Sequence, residues 1–182
     1  MPNYKRAYGG STYFFTVVTH KRRPFLCDAM SRAMLREAIN ETRTRWPFAV
    51  DAWVLLPDHL HCIWTLPDGD VEYSTRWGRI KSGFSKRINS LGVMPDSQRS
   101  ASRQKRRESA YWQRRFWEHE IKSQRDYNAH MDYIHFNPVK HGYVKSPRDW
   151  EYSSFHRLVK EGVYDINWGG AQGIDFTGIG HE

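Results

Sequence analysis

The chain has 182 residues, 39% of them hydrophobic, and a formal net charge of +8. This length suits one compact domain with its own core, and the excess of basic residues predicts a polyanionic partner, with nucleic acid favoured over an anionic membrane surface. No run approaches the roughly 20 apolar residues of a membrane-spanning helix, and the polar N-terminus lacks a signal-peptide core, so we expect a cytoplasmic protein without a membrane partner. If the polyanion is DNA, we expect the protein to be associated with the bacterial nucleoid.

The first half of the chain predicts a strand, a helix and a hairpin. β-branched and aromatic residues dominate the first strand, and apolar residues recur at helical spacing in the helix, which Asp28 is expected to cap. Pro57 and Asp58 form a turn signal between two apolar runs, so we expect these runs to pair. The predicted elements are a strand over 11–20, a helix over 28–45, and hairpin strands over 48–56 and 59–66.

The second half predicts two further helices around a loop and a short strand. Ser123 and Asp126 form a capping box for the last helix, which Asn137 and Pro138 are expected to end. A single apolar stripe marks the earlier helix: Tyr73, Trp77, Ile80, Phe84 and Ile88. The predicted elements are a helix over 71–90, a flexible loop over about 91–110, a strand within 111–121, and a helix over 123–136.

The order of these elements predicts the fold class. Strand, helix, strand, strand, helix, strand is the ferredoxin-like split βαβ arrangement, an α+β fold with an antiparallel sheet and two helices on one face. The added C-terminal helix is then available for the other face. We expect one catalytic domain over residues 1–160, followed by a tail over residues 161–182.

His59 and His61 are the first candidates for chemistry. On a strand, residues i and i+2 point to the same face, so the two imidazoles can share one metal ion. Imidazole nitrogen is a common ligand of divalent transition metals. In a chain with nine histidines such a pair also arises by chance, so the pair alone does not establish a metal site.

Tyr133 lies in the last predicted helix with polar neighbours. At about 100° per residue, Asp126, His130, Tyr133 and Asn137 share one helical face beside an apolar face. Asn137 follows Tyr133 by one turn, and its amide oxygen could complete a metal site. The simpler alternative makes Tyr133 a boundary aromatic residue and Asn137 a residue that ends the helix before proline.

The combination of these residues is more specific than either part. A phenol with a pKa near 10 is a poor nucleophile, so attack on a phosphodiester requires that the phosphate be polarised. A divalent metal held by His59, His61 and Asn137 can do this, and the product is a phosphotyrosine that conserves the bond energy for rejoining. Because a hydrolytic nuclease needs only activated water, the tyrosine predicts nicking and strand transfer.

Two ordered motifs resemble those of a known family. The stretch Pro57-Asp58-His59-Leu60-His61 is similar to the histidine–hydrophobic–histidine (HUH) motif. Residues 133–142 (YIHFNPVKHG) resemble the tyrosine helix of the REP-associated tyrosine transposases, which belong to the single-tyrosine HUH transposase superfamily. Further matching stretches are residues 12–16, 115–118 and 149–154, so the resemblance spans roughly residues 4–160.

The resemblance implies a site and a substrate. It implies Mg²⁺ or Mn²⁺ on His59 and His61, a nucleophile at Tyr133, and a 5′-phosphotyrosine intermediate with a free 3′-OH on the leaving strand. Asn137 takes the third-ligand position, where relatives outside this subgroup often carry Gln. The implied substrate is single-stranded DNA folded into an imperfect palindromic, REP-like hairpin with a short tetranucleotide at its foot, and the implied protein is a monomer.

Basic side chains are the expected contacts to the DNA backbone. Phosphate contacts give salt-dependent affinity and position the strand without reading its sequence. A simpler interpretation is that these basic side chains form a solvated helix face. The excess of positive charge over the whole chain favours DNA binding instead. The predicted DNA-binding residues are Arg22, Arg23, Arg76, Arg79, Lys81, Lys86, Arg114 and Arg115.

Three other functions compete with a transposase-like nickase. A module that binds hairpin DNA with little or no catalysis has no need of the combination of His59, His61, Tyr133 and Asn137. A replication-initiator nickase shares the chemistry, and only the motif around Tyr133 favours the transposase group over it. An RNA-binding domain of the RRM type requires aromatic residues in an RNP-like strand, and the sequence contains no such strand.

Overall fold

Four antiparallel strands form the centre of the protein in a computed structural model, which describes residues 11–92, residues 110–170 and Ile179. The strands lie in the order β2-β3-β1-β4, and every neighbouring pair is antiparallel. This is the ferredoxin-like arrangement that the sequence predicts. The strands are β1 (Thr12–Val18), β2 (Ala49–Leu55), β3 (His59–Thr65) and β4 (Trp117–Glu120).

Two helices cover one face of this sheet, α1 (Ala29–Arg45) and α2 (Tyr73–Ser90). Because side chains alternate along a strand, Phe15 of β1 and Trp64 of β3 point towards these helices. The predicted stripe of α2 is buried here except for Tyr73, which is partly exposed. Trp77 of the stripe stacks on Trp64 with ring centroids 4.2 Å apart, so aromatic packing closes this layer.

The opposite face is covered by α3 (Gln124–Lys140) and the short helix α4 (Phe155–Lys160). Phe14 and Ile63, the sequence neighbours of Phe15 and Trp64, point to this side and form a second apolar cluster with α3. The sheet therefore separates two layers, and the alternation along β1 and β3 decides which side chains enter each layer.

The prediction that Asn137 and Pro138 end the last helix is wrong, because α3 continues to Lys140 with Pro138 inside it. Proline removes one backbone hydrogen bond and disfavours helical geometry before it. Here Asn137 is fully buried, and the backbone amide of His141 donates to the carbonyl of Asn137 at 3.0 Å. Burial and this final turn outweigh the cost of the proline, and they place Lys140 on the helix.

Two capping predictions have different outcomes. At the start of α3 the backbone amide of Asp126 donates to Oγ of Ser123 at 3.1 Å, which confirms the predicted cap. Asp28 occupies the N-cap position of α1, but its side chain makes no capping hydrogen bond. Its backbone carbonyl instead accepts from the amide of Arg32 at 2.9 Å, so the helix begins at the predicted place without the predicted side-chain contact.

The predicted tail begins with packed structure. The side chain of Tyr164 is buried, and its hydroxyl donates to Asp132 of α3 at 2.9 Å. Trp168 packs on Tyr164 with ring centroids 4.7 Å apart, so residues up to this point add to the layer around α3. Most of the predicted flexible loop and the rest of the tail except Ile179 lie outside the described residues, among which no helix is long and apolar enough to cross a bilayer.

Candidate active site and metal centre

The paired histidines lie on β3 and face the layer of α3. His59 and His61 are buried, and their ring centroids are 5.0 Å apart with the ring planes nearly perpendicular. The intervening Leu60 packs into the opposite layer, as the alternation predicts. Two imidazoles at this spacing can each direct one nitrogen to a shared ion.

Asp58 fixes the orientation and tautomer of His59. Its Oδ1 lies 2.6 Å from Nδ1 of His59, and its Oδ2 accepts from Arg22 at 2.9 Å. Burial alone would raise the pKa of Asp58, but the hydrogen bonds and charges of His59 and Arg22 lower it to about 2. The carboxylate is therefore ionised at neutral pH, and Nδ1 of His59 is the nitrogen that carries the proton.

This tautomer leaves a lone pair on Nε2 of His59. That nitrogen is buried and has no hydrogen-bond partner within the part of the chain that the structure describes. A buried polar atom without a partner costs free energy, whereas an imidazole oriented by a carboxylate is a common support for a metal ligand. The arrangement around His59 therefore fits a bound metal ion.

Thr16 supports the second histidine from the neighbouring strand. It pairs with His61 in the register of β1 and β3, and its hydroxyl lies 2.9 Å from Nδ1 of His61. Since Nδ1 is engaged, Nε2 is the ring nitrogen of His61 that can bind a metal. In both histidines, a side-chain partner thus holds Nδ1, and Nε2 is the candidate ligand atom.

Tyr133 lies against this histidine pair. Its ring centroid is 5.2 Å from that of His61 and 5.9 Å from that of Phe14, both in edge-on geometry. The sequence predicts a polar strip beside the apolar face of α3, but the structure turns most of this strip towards the sheet. Tyr133 and Asn137 are both fully buried, so the candidate nucleophile lies beneath the surface.

Lys140 contacts the hydroxyl of Tyr133 from two turns further along α3. Its Nζ donates to the phenol oxygen at 3.3 Å and lies 4.9 Å from the ring centroid. An ammonium group at this position places a positive charge beside the oxygen of the candidate nucleophile. The contact exists only because α3 extends past Pro138.

The third metal ligand has two candidates at the end of α3. Asn137 lies one turn after Tyr133 on the same helical face, where the sequence predicts a ligand. His141 follows the helix, and its ring centroid lies 5.2 Å from that of His59. An amide oxygen and an imidazole nitrogen are therefore both presented by the same helix end.

The predicted DNA-binding residues do not form one surface. Arg22 and Arg115 line a groove of about 460 Å³ that reaches Thr16 and carries the aromatic rings of Phe116 and Trp117. Arg114 is exposed beside it. Arg22 bonds Asp58 and the groove reaches Thr16, so Arg22 and Arg115 lie close to the supports of the histidine pair.

The remaining predicted contacts are engaged elsewhere or lie on α2. Arg23 donates to the carbonyl of Ala110 at 2.7 Å, and Lys81 donates to that of Gln113 at 3.0 Å, where burial lowers the pKa of Lys81 to about 8. Arg79 and Lys86 are exposed on α2, which covers the other face of the sheet.

Arg76 was expected on a solvated helix face as a contact to the DNA backbone, but the structure buries it. The Arg76 side chain is 1% exposed, and its guanidinium bonds Asp70 at 2.6 Å and the carbonyl of Pro47 at 2.9 Å. It therefore fastens the turn before α2 and is not presented to a polyanion.

Sequence reasoning missed the residues that support the site. Asp58 directly precedes His59, so its position in the sequence could have indicated that it supports this histidine. Thr16 is 45 residues from His61, and only the strand register joins the two. Lys140 and His141 follow Tyr133 at helical spacing, but the expected helix end at Pro138 concealed that relation.

Known proteins resemble this chain over most of its length. Residues 8–137 match the model of a family described as "Transposase IS200 like". The chain is 44% identical over 171 residues to the REP-associated tyrosine transposase of Escherichia coli K12, covering 93% of this chain and 92% of that protein. A relative from Haemophilus influenzae is 42% identical over 180 residues, covering 98% of this chain and 99% of its own length.

A solved structure extends the comparison to the fold. It is described as a REP-associated tyrosine transposase bound to a REP hairpin, and it superposes with a TM-score of 0.72 at 44% identity, covering 92% of this chain and 91% of the other. The family match and the relatives extend over most of the chain, including β3 and α3. The protein therefore belongs to the IS200-like transposase family and, within it, to the REP-associated tyrosine transposases, which are DNA-cleaving enzymes.

Proposed function

We propose that the protein is a metal-dependent single-strand DNA endonuclease and strand transferase that acts on a REP-like hairpin through Tyr133. The observation that carries this proposal is the buried lone pair on Nε2 of His59, which Asp58 orients in the same layer as Tyr133. A structural histidine at this depth is normally satisfied on both nitrogens. A nitrogen prepared in this way beside a buried tyrosine fits metal-assisted attack on a phosphodiester.

His59, His61 and Asn137 are the proposed ligands, with His141 as a further donor at the same helix end. Mg²⁺ or Mn²⁺ would supply Lewis-acid polarisation of the scissile phosphate and a template for its orientation. The mixed nitrogen and oxygen donors suit Mn²⁺ better than Mg²⁺, which prefers oxygen ligands. Asp58 and Thr16 keep both imidazoles in the ligand orientation before DNA arrives.

Tyr133 is the proposed nucleophile. Its phenol loses its proton to solvent, the phenol oxygen bonds to phosphorus, and the bond from phosphorus to the 3′ oxygen breaks. The departing strand takes a proton and leaves as a 3′-OH, while the 5′ phosphate stays on the tyrosine. Lys140 donates to the phenol oxygen and places a positive charge beside it, so we assign it the role of holding and activating the hydroxyl.

The burial of Tyr133 implies a step before chemistry. Since the side chain is fully buried, a phosphate can reach the hydroxyl only after the groups above it move. Attack requires reacting atoms about 3–3.5 Å apart, a distance that a phosphodiester in solution does not reach while the side chain is fully buried. We therefore expect DNA binding to displace side chains that cover the hydroxyl, with the end of α3 keeping its place beside the histidine pair.

The groove beside Thr16 is the proposed path of the cleaved strand. Arg22 and Arg115 can neutralise phosphates there, and Phe116 and Trp117 offer rings on which unpaired bases can stack. The related protein solved with a REP hairpin supports a hairpin as the structured part of the substrate. The stem would lie outside this groove, and the strand at its foot would enter it.

A cleavage assay on matched tyrosine variants tests the proposal. End-labelled hairpin DNA with a single-stranded flank is incubated with Mn²⁺ and protein, and products are separated on a denaturing gel. Wild type and Tyr127→Phe, a control one and a half turns earlier on α3, are expected to yield a cleaved strand and a covalent adduct. Tyr133→Phe is expected to yield neither while binding the hairpin with unchanged affinity.

Cleavage on this gel, compared with hairpin binding in a filter-binding assay, separates the competing functions. Hairpin binding without cleavage by the wild type would make the protein a binding module. An adduct that survives in Tyr133→Phe would overturn the assignment of the nucleophile. Cleavage that is equal with EDTA and with Mn²⁺ would remove the metal from the reaction.

A further inference from the structure

A second cluster of metal-binding side chains lies between β4 and the first half of α3. His119 of β4 and Asp126 of α3 are joined by Nε2–oxygen distances of 3.1 and 3.0 Å to the two carboxylate oxygens. Nδ1 of His130, one turn after Asp126, lies 3.0 Å from Oδ1 of Asp126 and 2.9 Å from its backbone carbonyl. The two imidazole rings stack with centroids 4.7 Å apart.

The spacing of these atoms fits one ion. One ligand atom from each of the three residues lies within 4.8 Å of the others. Zinc binds imidazole nitrogen and carboxylate oxygen at about 2.0–2.2 Å, and the nitrogen–oxygen separations of 3.0 and 3.1 Å between the histidines and Asp126 fall within the roughly 4.4 Å that two such bonds can span.

We propose that His119, Asp126 and His130 bind a divalent transition-metal ion of the Zn²⁺ class, separate from the site of His59 and His61. Two nitrogens and one oxygen are a ligand set that zinc accepts, with a fourth position left for water or a phosphate oxygen. The side chains of His119 and Asp126 are 36% and 22% exposed, so the site opens to solvent on one side.

The ion would join β4 to the helix that carries the nucleophile. His130 precedes Tyr133 by three residues, and the ring of Phe14 packs against both, with centroids 4.7 Å from His130 and 5.9 Å from Tyr133. Because β4 is a short edge strand, a metal link to α3 would fix the position of this half of the helix. The site is thus proposed as a structural clamp with an exchangeable fourth ligand.

Zinc stoichiometry tests the proposal in the full chain. Apo protein is dialysed against Zn²⁺, and bound metal is measured by elemental analysis for the wild type, His119→Gln and His156→Gln. Glutamine can still donate a hydrogen bond to Asp126, and His119 is exposed enough to tolerate the change. His156→Gln, an exposed histidine on α4, is the matched control and should retain the wild-type stoichiometry.

The expected result is one equivalent less zinc in His119→Gln than in the wild type, with Zn²⁺ affinity at that site reduced at least about 100-fold. Added Zn²⁺ should raise the melting temperature of the wild type more than that of His119→Gln. Equal stoichiometry in the two proteins would overturn the proposal and leave a hydrogen-bonded His–Asp–His ladder. This difference does not depend on whether His59 and His61 bind metal, so the two sites can fail separately.

Discussion

The two faces of the sheet differ in what they bury. The face under α1 and α2 carries aromatic and aliphatic side chains such as Phe15, Trp64 and Trp77. The face under α3 interrupts its apolar packing with His59 and His61 at one end of the sheet. Burial of apolar surface stabilises a fold, whereas a buried polar group costs free energy unless it is bonded.

The comparison indicates that the two faces of the same four strands have different roles. Residues one position apart on β1 or β3 serve either the stability of the fold or the chemistry of the site. A substitution on the first face should therefore change the free energy of unfolding and spare the reaction of folded protein. A substitution of a functional residue on the second face should slow the reaction and change the free energy of unfolding little.

The largest expected effect is on cleavage by His59→Ala. Loss of this ligand should lower the rate of hairpin cleavage at least about 1000-fold, or ~4 kcal/mol, because polarisation of the phosphate by a metal is worth several kcal/mol. Hairpin affinity in a filter-binding assay should change by less than threefold, and His156→Ala should behave as wild type. Cleavage within tenfold of wild type would show that His59 does not hold the metal.

Trp77→Ala should show the opposite pattern. It removes a buried ring that stacks on Trp64, so the free energy of unfolding should fall by about 3–4 kcal/mol in urea titration. Below the unfolding transition, the cleavage rate per folded molecule should stay within about threefold of wild type. A rate that falls as much as in His59→Ala would mean that the two faces are not independent.

Lys140→Met tests whether the cation beside Tyr133 on the second face contributes to the reaction. Methionine keeps the apolar stem and removes the cation beside the phenol oxygen of Tyr133. Formation of the covalent adduct under single-turnover conditions should slow about 10–100-fold, or ~1.4–2.7 kcal/mol, with little change in hairpin affinity.

The conservative variant Lys140→Arg serves as the control for a merely structural role. It should recover part of the lost rate, because arginine retains the positive charge. Equal rates for Lys140→Met and wild type would remove Lys140 from the proposed activation of the nucleophile.

His135 is a buried polar group on the second face whose effect on stability should depend on pH, and the expected effect is smaller than those above. Nδ1 lies 2.7 Å from the carbonyl of Met131 and Nε2 lies 2.8 Å from Oγ of Ser154. Burial lowers the pKa of this imidazole to about 3, so the folded protein keeps it neutral. Below an unfolded pKa of about 6.5, only the unfolded chain takes up the proton, and stability should fall as pH falls towards 3.

His135→Gln should weaken this acid dependence. Between pH 6.5 and 5 the wild type should lose about 1–2 kcal/mol more than the variant in its free energy of unfolding, measured by urea titration with EDTA present. Parallel losses in the two proteins would show that other groups cause the acid sensitivity.

The sequence predicts the sheet and the placement of His59, His61, Tyr133 and Asn137 well, for identifiable reasons. Alternation fixes which face each residue of β1 and β3 enters, and an i, i+2 pair then places His59 and His61 together. Helical periodicity likewise puts Tyr133 and Asn137 on one face. These are local rules, and they need no knowledge of how the elements pack.

The remainder of the site depends on tertiary structure. Thr16 meets His61 only through strand register, and Lys140 meets Tyr133 only because packing carries α3 past a proline. Arg76 appeared to be a surface cation, but it is buried because the turn at Asp70 supplies its ion pair. Sequence periodicity gave no sign that Tyr133 itself would be fully buried.

The most direct test of the central claim identifies the residue that carries the DNA. The adduct formed with Mn²⁺ and a labelled hairpin is isolated and digested with nuclease and trypsin, and the tryptic peptide over residues 126–140 is fragmented by mass spectrometry. We predict a nucleotide phosphate on Tyr133 and none on Tyr127 of the same peptide. A nucleotide on any other residue, or cleavage without an adduct, would contradict the account.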